Sequence, residues 1–508
     1  MSDLNTYLQD MSGGSAANKW DIVCSYSTKE LNKILEDKYS SEKPTIYKDI
    51  TFDIERADPF TGEKFKIKYE LTLGAPSFSF IAGINGKCKL VMAIKGKYTI
   101  ITESGKAIEK VIPSNKYSLN GILPIVAVCG TANSSSNNEP KIVEEGNIIN
   151  FSEQIQKASV TLQFKHNEET SWSISPSPGP DDKDIMETYF LPAIAQYFKD
   201  SSTEIDYTLA SISSKSVNIP GDQIVIEPLS FVFATYAEGD KGALSLYIQT
   251  KNSGNSAGNK VPSFQPDGKA ILPFSDGYTA SLILSSDFFQ KVCFKASLER
   301  AGWTDIRTSP KETIIYAKNN YKARLVANEV YYDHGQEEYN YYDGKLINGG
   351  DNYIKFTFFY DGQNHKMKLN IKLDPLQYQQ FWQWSRTTGG YGASTSDDAK
   401  ITISIDEEYD LGDPNIYTIT DTDINLTINV NPTITVSTDA GLGMDFVKKT
   451  VISYITKEIG SMSCNLSLGG INIFRTTNLL FPMEKVLKFD SKIGFLVPCD
   501  LVLLGSIL

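Results

Sequence analysis

The stretch "FKIKYELTLG", residues 65–74, decides the fold class: Phe65, Ile67, Tyr69, Leu71 and Leu73 alternate with Lys66, Lys68, Glu70 and Thr72. Strict alternation gives a strand one apolar and one wet face, the signature of antiparallel sheet. The same period recurs in "HKMKLNIKLD" (Met367, Leu369, Ile371, Leu373) and in "INLTINVN" (Ile424, Leu426, Ile428, Val430). Asn85-Gly86, Asp343-Gly344 and Asp361-Gly362 are expected to turn hairpins between such runs. Only about four helices are expected, so sheet dominates an α+β fold.

The opening stretch, "NKWDIVCSYSTKELNKILEDKY" (19–40), reads as a strand feeding a helix. Ser27 and Glu30 form a capping box, in which the serine hydroxyl accepts the Glu30 amide and the carboxylate reaches back to the Ser27 amide. Leu31, Ile34, Leu35 and Tyr39 then recur at helical spacing. A longer amphipathic helix is expected in "DDKDIMETYFLPAIAQYFKD" (181–200), with Ile185, Met186, Tyr189, Phe190, Ile194, Tyr197 and Phe198 on a wide apolar face and a kink or restart at Pro192. Another lies in "GLGMDFVKKTVISYITKEIG" (441–460), with Met444, Val447, Val451, Ile452 and Ile455 on its face.

Met186 and Met444 lie 258 residues apart, and the same shift carries Tyr189 to Val447, Ala193 to Val451 and Tyr197 to Ile455. It also carries Ser27 to Ser285, which follows the strand-like "YTASLIL" and precedes "SDFFQKVCFKASLE". Two α+β halves can be aligned at two helices by chance, but two independent landmarks sharing one shift favour duplication. The expected organisation is a flexible N-terminus (1–18), a first half (19–250), a linker "KNSGNSAGNKVPSFQPDG" (251–268) and a second half (269–508).

A length of 508 residues suits two large halves, and a composition of 41% apolar and 11% aromatic residues excludes large-scale disorder. The 49 basic and 61 acidic residues give a net charge of −12, which makes nucleic acid an unfavourable partner. Cys24, Cys88, Cys129, Cys293, Cys464 and Cys499 stand singly among apolar residues and read as buried free thiols. The first 18 residues hold no apolar core of a signal peptide, and nowhere does the chain reach about 18 consecutive apolar residues. The reading is a chain made in the cytosol.

His166, His334 and His365 are far apart and have no ligand-spaced partners, so no zinc site and no cofactor is expected. Nucleophile and phosphate-loop motifs are absent, which argues against an enzyme. "DEEYDLGD" (406–413) reads as a solvated turn in preference to a calcium loop. Apolar helix faces this wide need a sheet curled around them, and such a sheet leaves a groove suited to acyl chains. The groove candidates are Ile185, Met186, Tyr189, Phe190, Ile194 and Tyr197, with Met444, Val447, Val451 and Ile455 in the second half. A fully packed core satisfies the same pattern. "FWQWSRTTGGYGASTS" (381–396) offers Phe381, Trp382 and Trp384 as membrane-contact candidates beside a glycine and serine run, or as the inward-packed end of a strand. "ITISIDEEYDLGDPNIYTITDTDINLTINVNPTITVS" (401–437) has the texture of either a membrane-inserting hairpin or a solvated sheet. The tail "IGFLVPCDLVLLGSIL" (493–508) reads as a final buried strand pair.

"WDIVCSYSTKELNKIL" resembles the opening motif of the clostridial OrfX and forty-seven-kilodalton protein family, with Trp20, Asp21, Ile22, Val23, Asn32 and Lys33 in the motif positions. "IEPLSFVFATY" (226–236) is similar to the family's proline-containing strand. Asn18-Lys19 stands where the family has a tyrosine-glycine pair. The resemblance implies an elongated TULIP-like (tubular lipid-binding) fold in two related halves, each a long curved antiparallel sheet around a long amphipathic helix. It implies a non-enzymatic accessory protein of a neurotoxin gene cluster, released with the toxin without a signal peptide. Lipid, a membrane surface and other toxin-cluster proteins are the implied partners.

Overall fold

A computed structural model describes residues 3–41, 49–57, 61–129, 141–163, 170–176, 191–200, 206–215, 224–251, 253–318, 324–333, 336–348, 352–388, 391–421, 423–438, 453 and 462–508. The first half opens with α1 (Leu4–Met11), β1 (Ile22–Ser27) and α2 (Thr28–Ser40). There follow β2 (Asp49–Ala57), β3 (Lys64–Leu73), β4 (Ile84–Thr102), β5 (Ala107–Cys129), α3 (Leu191–Asp200), β6 (Pro228–Glu238) and β7 (Lys241–Thr250). The second half begins with β8 (Ala280–Leu284) and continues through β9 (Thr304–Ser309), β10 (Ile314–Lys318), β11 (Tyr353–Asp361), β12 (Lys366–Thr388) and β13 (Tyr391–Asp410). It closes with β14 (Leu487–Phe489) and β15 (Leu501–Ile507).

The alternating runs become strands with the expected faces inward. Ile67, Tyr69, Leu71 and Leu73 are buried in β3, as are Met367, Leu369, Ile371 and Leu373 in β12. Ile424, Leu426, Ile428 and Val430 are fully buried in the strand Ile424–Val430, which commits that segment to the core. The fold is β-rich with few helices, and its sheet curls into a half-barrel.

A seven-stranded sheet joins the halves in the order β14, β15, β8, β1, β7, β6 and a short strand Ile149–Asn150. At its centre β1 pairs antiparallel with β8, Cys24 standing opposite Leu282. Those two residues are 258 apart. β1 pairs on its other side with β7, and β8 with β15. Every residue of β1 and of β8 is buried, the serines Ser25, Ser27 and Ser281 included, so both faces of both strands are covered.

Helix caps repeat across this sheet. Ser27 Oγ accepts the Glu30 N–H at 3.1 Å, and Ser285 Oγ accepts the Phe288 N–H at 3.2 Å. The other arm of the capping box does not form. Glu30 Oε2 accepts the Thr279 hydroxyl at 2.9 Å, while the Ser27 N–H donates to Thr279 O at 2.8 Å, because sheet pairing with the second half claims that amide.

Several expectations need correction. Of the expected free terminus, 1–18, the described residues 3–18 are held: α1 buries Tyr7, Leu8 and Met11, and Ala16 and Ala17 are buried beyond it. The 251–268 segment is a bound strap, with Phe264 buried and Asn259 O accepting the Trp20 indole N–H at 2.9 Å. Ile81 pairs with Ile84, so the chain turns at Ala82-Gly83 and leaves Asn85-Gly86 inside β4. Asp343-Gly344 lies within the strand Gln336–Asn348, where pairing on both sides overrides turn chemistry. Asp361-Gly362 does stand at the end of β11, Asp361 being its last residue.

Candidate functional site

The concave face of the first-half sheet is built from cross-strand rows. Its first wholly aliphatic row sets Ile54 opposite Ile67, Ile67 opposite Ile100, and Ile100 opposite Ile108, with Phe65 between Arg56 and Thr102 further out. The next sets Phe52 opposite Tyr69 and Tyr69 opposite Tyr98, and the third runs Ile50, Leu71, Gly96, Ile112. In this third row Gly96 has φ +141°, and a Cβ there would fall 2.1 Å from Glu70 O, so glycine permits the close approach of β3.

Helix α3 meets this face at the aromatic row. Pro192 sits in its first turn, where a missing N–H costs nothing. The Tyr197 ring lies flat on Phe52, with centroids 3.9 Å apart and planes at 10°, and Phe52 stacks on Tyr69 at 4.6 Å. Phe198 packs against Trp172 at 5.3 Å. Ile194 is completely buried, while Tyr197 is half-buried. In the isoleucine row Ile67 is buried, Ile54 and Ile100 are half-buried and Ile108 is 39% exposed. The outer end of an apolar trough therefore opens to solvent beside a helix held by ring stacking.

Of the groove candidates, Ile194 and Tyr197 are thus brought onto one apolar face. Ile185, Met186, Tyr189, Phe190, Met444, Val447, Val451 and Ile455 lie outside the described residues. Phe381, Trp382 and Trp384 are not on a loop tip. They are interior positions of β12, whose backbone pairs Phe381 with Asp343 and Asp398, and Trp382 with Tyr342 and Asp397. The run 391–396, expected to be flexible, is the start of β13.

No protein-family model and no curated protein matches the chain. Among solved structures it resembles P47 from Clostridium botulinum A2, at 15% identity and a TM-score of 0.49, covering 97% of this chain and 98% of that one. A lipopolysaccharide binding protein is also similar, at 9% identity and a TM-score of 0.25, over 96% of this chain and 99% of the other.

Two carboxylates with raised pKa, the buried Asp500 and the half-buried Glu145, were missed from sequence and sit away from the trough. Asp500 is completely buried between the termini. Its Oδ1 accepts the Ser286 N–H at 2.7 Å, and its Oδ2 accepts the Ala16 N–H at 2.9 Å and the Ser15 hydroxyl at 3.1 Å. Burial outweighs those bonds and raises its carboxyl to about 6. Glu145 accepts the Thr235 N–H at 2.9 Å, and burial raises it to about 7. Beside Asp500 a cavity of about 640 Å³ is lined by residues including Ser15, Lys19, Trp20, Ser285, Lys291 and Cys499. Burial pushes the Cys499 thiol up to about 12, which leaves it a poor nucleophile. Among the described residues no group of three or more histidine, cysteine or acidic side chains could hold a metal, and no helix is long and apolar enough to cross a membrane.

Proposed function

We propose that this chain is a non-enzymatic accessory protein of a toxin gene cluster that binds lipid, or associates with a membrane surface, through apolar surface between helix and curved sheet. The observation that supports the lipid reading is the apolar face: in its isoleucine row Ile67 is buried, Ile54 and Ile100 are half-buried and Ile108 is 39% exposed, so the Ile100–Ile108 end is where an acyl chain would be admitted. The toxin-cluster context rests on the resemblance at residues 20–35 and 226–236. The proposed plan is two copies of one unit. The common 258-residue spacing of Cys24 from Leu282 and of Ser27 from Ser285 supports it.

A second reading, an assembly protein acting only through protein surfaces, is favoured by the complete burial of Ile194 and the flush Tyr197–Phe52 stack. Organic extraction of the purified protein followed by lipid mass spectrometry, with liposome flotation, separates the two. Co-purified lipid or flotation is the expected result. A persistently lipid-free protein that ignores liposomes refutes the first reading and leaves the second. Dye release from liposomes would instead indicate a pore-forming component.

A further inference from the structure

The outer face of the second-half sheet carries a basic row set by strand register. Arg307 on β9 stands opposite Tyr316 on β10, Tyr316 opposite Lys355 on β11, and Lys355 opposite Lys372 on β12. Alternate residues Ile354, Phe356, Ile371 and Leu373 face the core, so these charges face solvent. Tyr353 and Asp374 complete a cleft of about 590 Å³.

The charges in this cleft are not balanced. Asp305 holds Arg307 at 3.3 Å and Lys318 at 3.2 Å. Asp374 lines the rim, and Asp406 stands opposite Lys372 on β13, with no ion pair to it among the described residues. Elsewhere on β12 the outward lysines are neutralised: Lys366 by Asp410 at 2.6 Å, and Lys368 by Asp361 at 2.9 Å and Glu408 at 2.7 Å. Among the described residues Lys355 and Lys372 have no ion-pair partner, although they face each other directly and like charges so placed repel. In a chain of net charge −12 this pair is out of character. Arg307 donates from Nε and Nη2 to Asp305 Oδ1 and Oδ2 at 3.3 Å each, which together with the Tyr353 ring, its centroid 4.5 Å from the guanidinium, fixes it in place and leaves Nη1 outside that pair.

Two ammonium groups without an ion-pair partner among the described residues, with the fixed Arg307 guanidinium in the same cleft, suit a tetrahedral oxyanion carrying two negative charges. We propose that this cleft binds a phosphate group, presented as free phosphate, a soluble ester or a lipid headgroup. The site lies outside the trough and does not depend on the lipid reading.

Isothermal titration of the full chain with sodium phosphate, against sodium chloride at matched ionic strength, tests it. Saturable binding is expected, weakened at least about tenfold in K355Q/K372Q and retained in K355R/K372R. The thermal midpoint without phosphate serves as the folding control, since Lys372 is exposed and Lys355 half-buried. No saturable heat in the wild type, or equal binding by K355Q/K372Q, overturns the proposal. Flotation with phosphatidylcholine vesicles, with and without phosphatidic acid, then identifies the source. Capture only by phosphatidic acid, abolished in K355Q/K372Q and competed by free phosphate, assigns a lipid headgroup. Phosphate binding without such capture assigns a soluble ligand.

Discussion

Replacing Asp500 by Asn tests the buried junction between the termini. The native carboxyl is raised from 3.8 to about 6, so between these values the folded protein holds a proton that the unfolded chain has released. Stability therefore rises as pH falls from 8 toward 5, and linkage puts this group's contribution over that window at about 1.4 kcal/mol. Glu145, raised from 4.5 to about 7, acts with the same sign through a different contact and is untouched by the substitution. Asn keeps one acceptor oxygen where Asp500 has two, both engaged, so either the Ser286 or the Ala16 N–H must face an amide NH2. An unsatisfied buried donor costs about 1–3 kcal/mol. Asp500→Asn should be less stable at pH 5 by about that amount, with the deficit shrinking by about 1.4 kcal/mol at pH 8 because only the wild type then carries a buried charge. Urea unfolding at both pH values gives the global difference, and amide exchange at Ala16 and Ser286 gives the local one. An unchanged pH slope in the variant, or a wild type that weakens from pH 8 to 5, would refute the reasoning.

Lys19 adopts φ +69°, a left-handed conformation that costs a side-chain residue about 1–2 kcal/mol, so Lys19→Gly should raise stability by about 0.5–1 kcal/mol after its own entropy loss, measured by urea midpoint. A Cβ on Gly470 would lie 1.7 Å from Ile224 O, so Gly470→Ala must displace backbone and should cost at least about 3 kcal/mol, seen as a lower thermal midpoint. Tyr197→Ala removes a half-buried ring from Phe52 and should cost about 1–2 kcal/mol while lowering any co-purified lipid; a loss of about 4 kcal/mol with no change in lipid would favour a packed core. All six cysteines are buried, and burial holds Cys24, Cys88 and Cys464 up at about 12, so a thiol reagent should react with none in the native protein and with six after denaturation.

The sheet was legible because its signal is local: Ile67, Tyr69 and Leu71 need only a period of two to be recognised as one face. The Ser27 cap was legible for the same reason. What escaped depends on partners distant in sequence. Ser27 and Glu30 carry a full capping box, yet Thr279, about 250 residues away, takes half of it. Asp343-Gly344 has turn chemistry, but strands on both sides hold it extended. The N-terminal residues look polar and free until Asp500 and the strap around Phe264 are in place. The helical period placed Ile194 and Tyr197 on one apolar face, while Phe52, Ile54, Ile100 and Ile108 belong to strands whose register alone brings them together. The phosphate cleft was silent for that reason too, since Arg307, Lys355 and Lys372 lie on three strands and meet only through pairing.

The bond from Ala16 to Asp500 spans 484 residues, which has a consequence during translation. At about 5–20 residues per second, a ribosome that has released Ala16 takes roughly 25–100 seconds to reach Asp500. β1 acquires β7 part-way through, but its second edge stays unpaired until Leu284 emerges, and that edge contains no charged residue to discourage pairing with another nascent chain. Slow synthesis or a stalled ribosome therefore prolongs exposure of an adhesive strand. A message truncated just before the codon for Asp500 yields a chain whose Ser15, Ala16 and Ser286 all lack the acceptor that fastens them.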